Sequence, residues 1–230
     1  ELGRGQPVSQ LHWGGGSPTF LRNDDMKALK ERLNEAFQFL PGGEYSMEVD
    51  PRTVDASRLA FIRGLGFNRL SLGVQDFEPA VQKAVHRIQS TQDVQSLMVA
   101  ARELDFDSVN LDLIYGLPMQ TAASFERTLD QVIWLHPERI ALYAYAHLPE
   151  RFKPQRRIHA VDLPAPASKV AMMQRALERL VGAGYVYIGM DHFALPEDDL
   201  AVAKRQGRLH RNFQGYSTQP DSDLIALGIS

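Results

Sequence analysis

His12-Trp13-Gly14-Gly15-Gly16-Ser17-Pro18-Thr19 follows directly on a short apolar stretch that begins at Val8. Three consecutive glycines strip every Cβ from one face of a loop, so backbone N–H groups lie open to a carboxylate or a phosphate. Taken alone, such a triplet is more often a tight turn. Its place at the end of a strand puts the ligand loop on an equal footing.

Outward from that loop the same pattern repeats. Glu44 to Val49, Arg69 to Val74, Ser108 to Ile114 and Arg139 to Tyr143 are short apolar or alternating segments, each ended by a polar or glycine cluster, and with Val8 to Trp13 they read as strands. Between them Asp24 to Phe37, Asp55 to Leu65, Thr91 to Leu104 and Ala123 to Leu135 carry helical periodicity. Gly66 marks a helix end, and Thr91 before Asp93 marks a start. Strand and helix alternate at the spacing of βαβ units, which predicts an α/β fold. Polar residues gather at the C-terminal strand ends: the glycine run, Glu48-Val49-Asp50, Gly73-Val74-Gln75-Asp76, Asn110 with Asp112, and Tyr143 to His147. Ligands bind at that end in a (β/α) barrel and in an open doubly wound sheet alike, so the pattern places a site without deciding barrel closure.

After Pro149 the composition shifts. Arg151, Lys153, Arg156, Arg157 and His159, punctuated by Pro154, Pro164 and Pro166, form a basic connector. A helix from about Ser168 to Val181, a strand-like Tyr185 to Met190 and a polar segment through Gln219 follow. The expected division is a barrel core over residues 1–150 and a connector with the start of a C-terminal region over 151–230.

With 44% hydrophobic and 23% charged residues, the 230-residue chain has ordinary globular composition. No apolar run reaches the roughly 20 residues of a membrane-spanning helix, and no charged-then-apolar leader precedes the first strand, so a cytoplasmic protein is expected. Absence of cysteine excludes disulfides and thiolate sites within these residues. A formal charge of −3 gives no reason to expect nucleic acid as a partner. The seven histidines form no H-x-x-x-H or H-E-x-x-H arrangement, so no metal site is expected among side chains. No nucleophile elbow or P-loop ending appears.

For Glu48 and Asp50, as for any single carboxylate, a capping or solvated-loop role is the plainer reading, and Gln75 beside Asp76 carries the same ambiguity. Asp112 stands apart, because it interrupts Val109 to Ile114, a strand expected to be buried on both faces. An unpaired carboxylate there is costly, so it should meet Arg87 or a ligand. His192 and His210 lie among aromatics and read either as structural histidines or as proton donors and carboxylate partners.

Four stretches then act together: Leu11 to Thr19; Met47-Glu48-Val49-Asp50-Pro51; Gly66-Phe67-Asn68-Arg69-Leu70-Ser71-Leu72-Gly73-Val74-Gln75-Asp76; and Asn110-Leu111-Asp112-Leu113-Ile114-Tyr115-Gly116-Leu117-Pro118-Met119-Gln120-Thr121. The set closely resembles the oxygen-independent coproporphyrinogen III oxidases, a family of radical S-adenosylmethionine (SAM) enzymes. Tyr145-Ala146-His147-Leu148-Pro149, Gly189 to Ala194 and His210-Arg211-Asn212-Phe213-Gln214-Gly215-Tyr216 resemble the oxidases, and haem-chaperone relatives usually differ in the last two of these stretches.

That resemblance implies a partial (β/α) barrel of the radical SAM type with its first β/α unit missing, followed by part of a C-terminal α+β region. It implies oxidative decarboxylation of two propionates of coproporphyrinogen III, with a [4Fe–4S] cluster, two SAM molecules, an electron donor and an electron acceptor, in a monomeric protein. Gly15, Glu48 and Ala146 match contacts to the SAM beside the cluster; Gly16, Ser17, Gln75, Arg87 and Asp112 match contacts to the second. Arg151, Arg156, Arg157, His192, His210 and Arg211 are the candidate groups for the substrate's carboxylates, with a solvated surface loop as the plain alternative for the connector arginines. Ser17 stands where threonine is expected and keeps the hydroxyl. The C-x-x-x-C-x-x-C cluster loop is absent, and a chain opening at Glu1 reads as a fragment that should not turn over alone. A haem chaperone and a cluster-less SAM-binding protein are the rival readings.

Overall fold

The structure is a computed structural model, and it describes residues 5–212, 215–219 and 222–228. Strands β1 (Pro7–Trp13), β2 (Gln38–Val49), β3 (Arg69–Gln75), β4 (Ser108–Tyr115) and β5 (Arg139–Ala144) lie side by side in chain order, all parallel. Parallel neighbours require crossovers. These are α1 (Asn23–Ala36), α2 (Ala56–Gly64), the short α3 (Pro79–Ala84) with α4 (Thr91–Glu103), and α5 (Ala122–Leu135). Helix α6 (Pro166–Gly182) leads into β6 (Val186–Gly189), and β7 (His192–Ala194) folds back between β5 and β6, antiparallel to both. The sheet order is therefore β1-β2-β3-β4-β5-β7-β6, and β6 runs in the direction of the first five strands. Among the described residues β1 pairs only with β2 and β6 only with β7, so the expected α/β partial barrel is present with two open edges. The sheet continues unbroken past residue 150. A short helix α7 (Asp199–Arg205) and the hairpin of β8 (His210–Asn212) and β9 (Gly215–Ser217) follow.

The helices cover one face of the sheet because each carries an apolar stripe at helical spacing. Val94, Leu97, Met98 and Ala101 of α4, Phe125, Leu129 and Val132 of α5, and Met172, Ala176 and Leu180 of α6 are all buried. They pack on Met47, Val49, Leu70, Leu72, Val74, Val109, Leu111, Leu113, Ile140 and Leu142 in one core, in which Phe67 meets Trp13 edge-on at 4.9 Å. The intervening strand residues face the other way. Burial on both faces, expected for Val109 to Ile114, is thus corrected: Asn110, Asp112 and Ile114 are only partly buried while Val109, Leu111 and Leu113 are inaccessible. A parallel sheet covered on both faces reads as continuous apolar residues, whereas this one alternates.

Helix α4 starts one residue after its cap, Ser90, whose hydroxyl accepts from the Asp93 N–H at 3.0 Å while the Asp93 carboxylate accepts from the Ser90 N–H at 3.2 Å. Ser90→Ala is expected to cost about 1 kcal/mol, read as a lowered urea midpoint with unchanged slope.

Strand β2 begins six residues before the expected Glu44. Pairing with β1 jumps from Val8↔Phe39 to Gln10↔Glu44, and the intervening Pro41-Gly42-Gly43 turn loops out under the Tyr45 hydroxyl, which donates to the Leu40 carbonyl at 2.6 Å. That turn reads in sequence as a strand boundary, which hides the earlier half.

Candidate functional site

Cross-strand register stacks the uncovered residues into layers. At the N-terminal strand ends Arg69 is buried and ion-paired to Asp199, while Asp198 accepts from the Arg139 guanidinium at 2.8 Å. Arg69, Asp198 and Asp199 line, with Glu44 and Asp107, a cavity of about 350 Å³ at that end of the sheet. One step up, Glu48 pairs with Ser71 and Ser71 with Asn110; the next step aligns Gly73, Asp112, Ala141 and His192. Tyr143 pairs with Ile114 above them, its ring 6.2 Å from His192.

The β8–β9 hairpin crosses this face. Tyr216 lies against Gly189 and 5.5 Å from His192, while Ser217 Oγ reaches Gln10 Oε1 at 3.2 Å and Thr218 Oγ1 reaches Glu44 Oε1 at 2.9 Å. It thereby ties the β6–β7 edge to the β1–β2 edge.

Two polar clusters stand at the C-terminal end. In the first, Glu48 Oε2 accepts the Gly15 N–H at 3.3 Å and Glu48 Oε1 meets His12 Nε2 at 3.2 Å, while His12 Nδ1 lies 2.8 Å from Ser46 Oγ. A Cβ at position 14 would sit 2.5 Å from His12 Nε2 and 2.6 Å from Glu48 Oε1, so a side chain there would displace those two side-chain ends. Gly15 takes φ +84°, and at both Gly15 and Gly16 the position of a Cβ is open space, so a ligand can approach the backbone.

In the second cluster Asp112 accepts from Ser71 Oγ at 2.9 Å and Asn110 Nδ2 at 2.8 Å. Burial pushes its carboxyl up to about 6, with the nearby Glu48 adding to the rise. The expected Asp112–Arg87 pair is corrected: Arg87 Nη2 donates to the Gly73 carbonyl at 2.8 Å and lies 3.6 Å from Asp50. Asp50 is held by Arg52, whose guanidinium binds it at 2.6 Å and holds its pKa below the ordinary value, so Asp50 is the cap of a 3₁₀ turn, as its plain reading has it. Burial lowers the Arg87 pKa. The tips of Arg87 and Gln75 converge over Gly73, whose Cβ would meet them at 3.2 and 3.1 Å.

The other candidates are placed as follows. Ser17 is exposed and precedes the turn Pro18–Phe20 without capping it. Ala146 is exposed after β5, and its carbonyl accepts from Gln155 Nε2 at 3.0 Å. Arg151, Arg156 and Arg157 are exposed in the connector, Arg156 donating to the Pro149 carbonyl at 3.0 Å. His192 faces the same way as Asp112 and bonds Asp191 at 2.6 Å. His210 pairs with Ser217 inside the hairpin, and Arg211 lies 5.8 Å over the Tyr216 ring and contacts Met190. Phe213 and Gln214 lie outside the described residues. Ser46 and Ser71 join this face with no expectation from sequence, and His12, Asn110 and Tyr143, which sequence places at strand ends, take contacts there that it does not assign. Their signal is the spacing of two that sets polar groups on one strand face.

SAM carries an amino-acid zwitterion, a ribose and an adenine. Among the described residues the buried Arg87 Nε and Asn110 Oδ1 have no hydrogen-bond partner, leaving a donor and an acceptor beside an acid. Glu48, Asp112, Arg87 and the open Gly15 and Gly16 backbone are a donor and acceptor set that fits such a molecule. The [4Fe–4S] cluster does not fit: without cysteine the chain offers it no thiolate.

The fold is an α/β partial barrel with polar groups at its C-terminal strand ends, the end at which such folds bind ligands. The chain belongs to the radical SAM superfamily, whose profile matches residues 1–132. It is 54% identical to a protein of Pseudomonas aeruginosa over 231 residues and 51% identical to one of Escherichia coli over 226, both named oxygen-independent coproporphyrinogen III oxidase. These alignments cover 100% and 98% of this chain but 50% of each relative, so the chain spans about half the length of the curated relatives it matches. The solved structure described as coproporphyrinogen III oxidase (HemN) from Escherichia coli, a radical SAM enzyme, superposes with a TM-score of 0.95 at 51% identity, over 97% of this chain and 52% of that one. An archaeal Elp3 from Methanocaldococcus infernus, 14% identical at a TM-score of 0.56, shares the fold alone. Among the described residues no helix is long and apolar enough to cross a membrane.

Gly14→Ala is expected to push Glu48 off the Gly15 N–H and weaken SAM binding by about tenfold. Calorimetric titration measures the loss, and a thermal melt should show little change.

Proposed function

We propose that this chain is the SAM-binding part of an enzyme that decarboxylates two propionates of coproporphyrinogen III to vinyl groups without oxygen, yielding protoporphyrinogen IX. The observation that carries the proposal is the Glu48 carboxylate bonded to the Gly15 N–H beneath an open glycine backbone. The names of the relatives at 51–54% identity supply the substrate. When bound, and given one electron from the electron donor, SAM would release methionine and supply the 5′-deoxyadenosyl radical that takes one hydrogen atom from a propionate β-carbon, with loss of carbon dioxide and of one electron to an acceptor.

The residues hold and orient. Glu48 accepts from the ribose hydroxyls or ammonium of one SAM, with Gly15 admitting its methionine end and the Ala146 N–H facing its adenine. A second SAM lies across Gly16, Ser17 and Gln75, with its ammonium on Asp112 and its carboxylate on Arg87, both charge-assisted. His192, with Arg211 beyond Tyr216, receives a substrate carboxylate, and Arg151, Arg156, Arg157 and His210 offer further cationic or neutral donors. Tyr143 stays a neutral phenol, because burial and the neighbouring Asp112 and Asp191 raise its pKa. The proposal includes a monomeric, cytoplasmic protein served by an electron donor and an acceptor.

The test is anaerobic assay of the longer protein after reconstitution. Loss of two carbon dioxide molecules per coproporphyrinogen III is the expected result; haem transfer without decarboxylation contradicts it.

A further inference from the structure

Gln75 occupies a conformation that its own chemistry disfavours. It has φ +69° although it carries a Cβ, and the Asp76 N–H closes onto the Val74 carbonyl at 2.9 Å. A two-residue hydrogen bond around a residue of positive φ is the rarer, strained γ-turn. The pairing of β3 with β4 slips there, from Gly73↔Asp112 to Gln75↔Leu113. Strain of this kind persists only where the surroundings enforce it.

Asp76, the residue that follows the turn, is 1% exposed, and the Val74 carbonyl before it also accepts from Gln89 Nε2 at 2.6 Å. Asp76 Oδ1 accepts from the Glu78 N–H at 2.6 Å and from Thr128 Oγ1 at 2.9 Å, and its Oδ2 accepts from Gln120 Nε2 at 2.5 Å. Gln120 in turn accepts the Gly116 N–H at 2.5 Å and the Leu117 N–H at 3.2 Å, which ties the loop after β3 to the loop after β4. Gln82 Nε2 donates to the Asp76 carbonyl at 3.0 Å. Together these bonds engage both carboxylate oxygens and the carbonyl of the residue that follows the bend.

We propose that Asp76 is a positioning residue: from within the core it holds Gln75 in its left-handed turn and so aims the Gln75 amide over Gly73, beside Arg87. Burial raises the Asp76 pKa, and its three donors all serve the ionised form. The functional consequence rests on the proposal that SAM binds at Gln75; the conformational consequence does not.

Two cycles test it. Without ligand, Gln75→Gly should melt about 2–4 °C above Gln75→Ala, since glycine alone accepts positive φ freely. In an Asp76→Asn background that advantage should vanish. A Gln75→Gly variant no more stable than Gln75→Ala, or an advantage that survives Asp76→Asn, overturns the proposal. With SAM in a calorimeter, Asp76→Asn should weaken binding about tenfold, as Gln75→Ala does, and the double variant should be no worse than Gln75→Ala. Additive losses overturn action through Gln75. If Gln75→Ala leaves affinity unchanged while the melting cycle behaves as expected, SAM placement at Gln75 fails and the enforced turn stands.

Discussion

Glu48→Ala is expected to reduce the yield of 5′-deoxyadenosine from the reconstituted longer protein by about ten- to a hundredfold, the range for losing a hydrogen-bonded ionised acceptor. The carboxylate bridges His12 Nε2 and the Gly15 N–H. Without it, the Gly15 N–H loses its acceptor and His12 Nε2 its partner at the mouth of the glycine loop, and the loop loses its tie to β2. Glu48 is partly exposed, so the fold should tolerate the change, and a thermal midpoint within a few degrees of the parent is the accompanying expectation. Unchanged yield would remove Glu48 from the site.

Asp112→Asn should give the other large effect, and its signature is a pH dependence. The carboxyl titrates near 6 in the folded chain against an ordinary value of 3.8. Because the folded pKa is raised, this group stabilises the fold below about pH 4, and that contribution is lost as the pH rises through about 6. A cationic ammonium prefers the ionised form. SAM affinity should therefore rise between pH 5 and 7 with a midpoint near 6, while intrinsic stability falls between about pH 4 and 6. The introduced amide would keep an acceptor for Asn110 Nδ2, and the Ser71 hydroxyl could turn to accept its N–H. The variant should be no less stable at pH 8, bind SAM about tenfold more weakly and lose the pH dependence. A pH profile identical to the parent's would contradict the role.

Much of this arrangement is legible in the sequence. The alternation of strands and helices, and the polar residues at strand ends, put Glu48, Gln75 and Asp112 at one end of one sheet, and the family resemblance adds Arg87. What stays hidden depends on neighbours across strands. The row Glu48, Ser71, Asn110 exists only through register. The apolar members of β4 suggest cover on both faces, whereas the spacing of two between Asn110 and Asp112 argues for one open face. Arg87 and Asp112 look like natural partners by charge. The chain after β3 instead carries Arg87 to the Gly73 carbonyl and Asp50, a choice made by the loop from Asp76 to Gln89. The strained turn at Gln75 has no sequence signal, because glutamine is not a residue that marks positive φ.

Calorimetric titration of SAM into this chain at about pH 7.5, beside Asp112→Asn and Glu48→Ala, tests the central claim most directly. Saturable binding by the parent, weakened about tenfold or more by each substitution, is the predicted result. No binding by a folded parent chain, or binding that neither substitution alters, would contradict the assignment of this face as a SAM site.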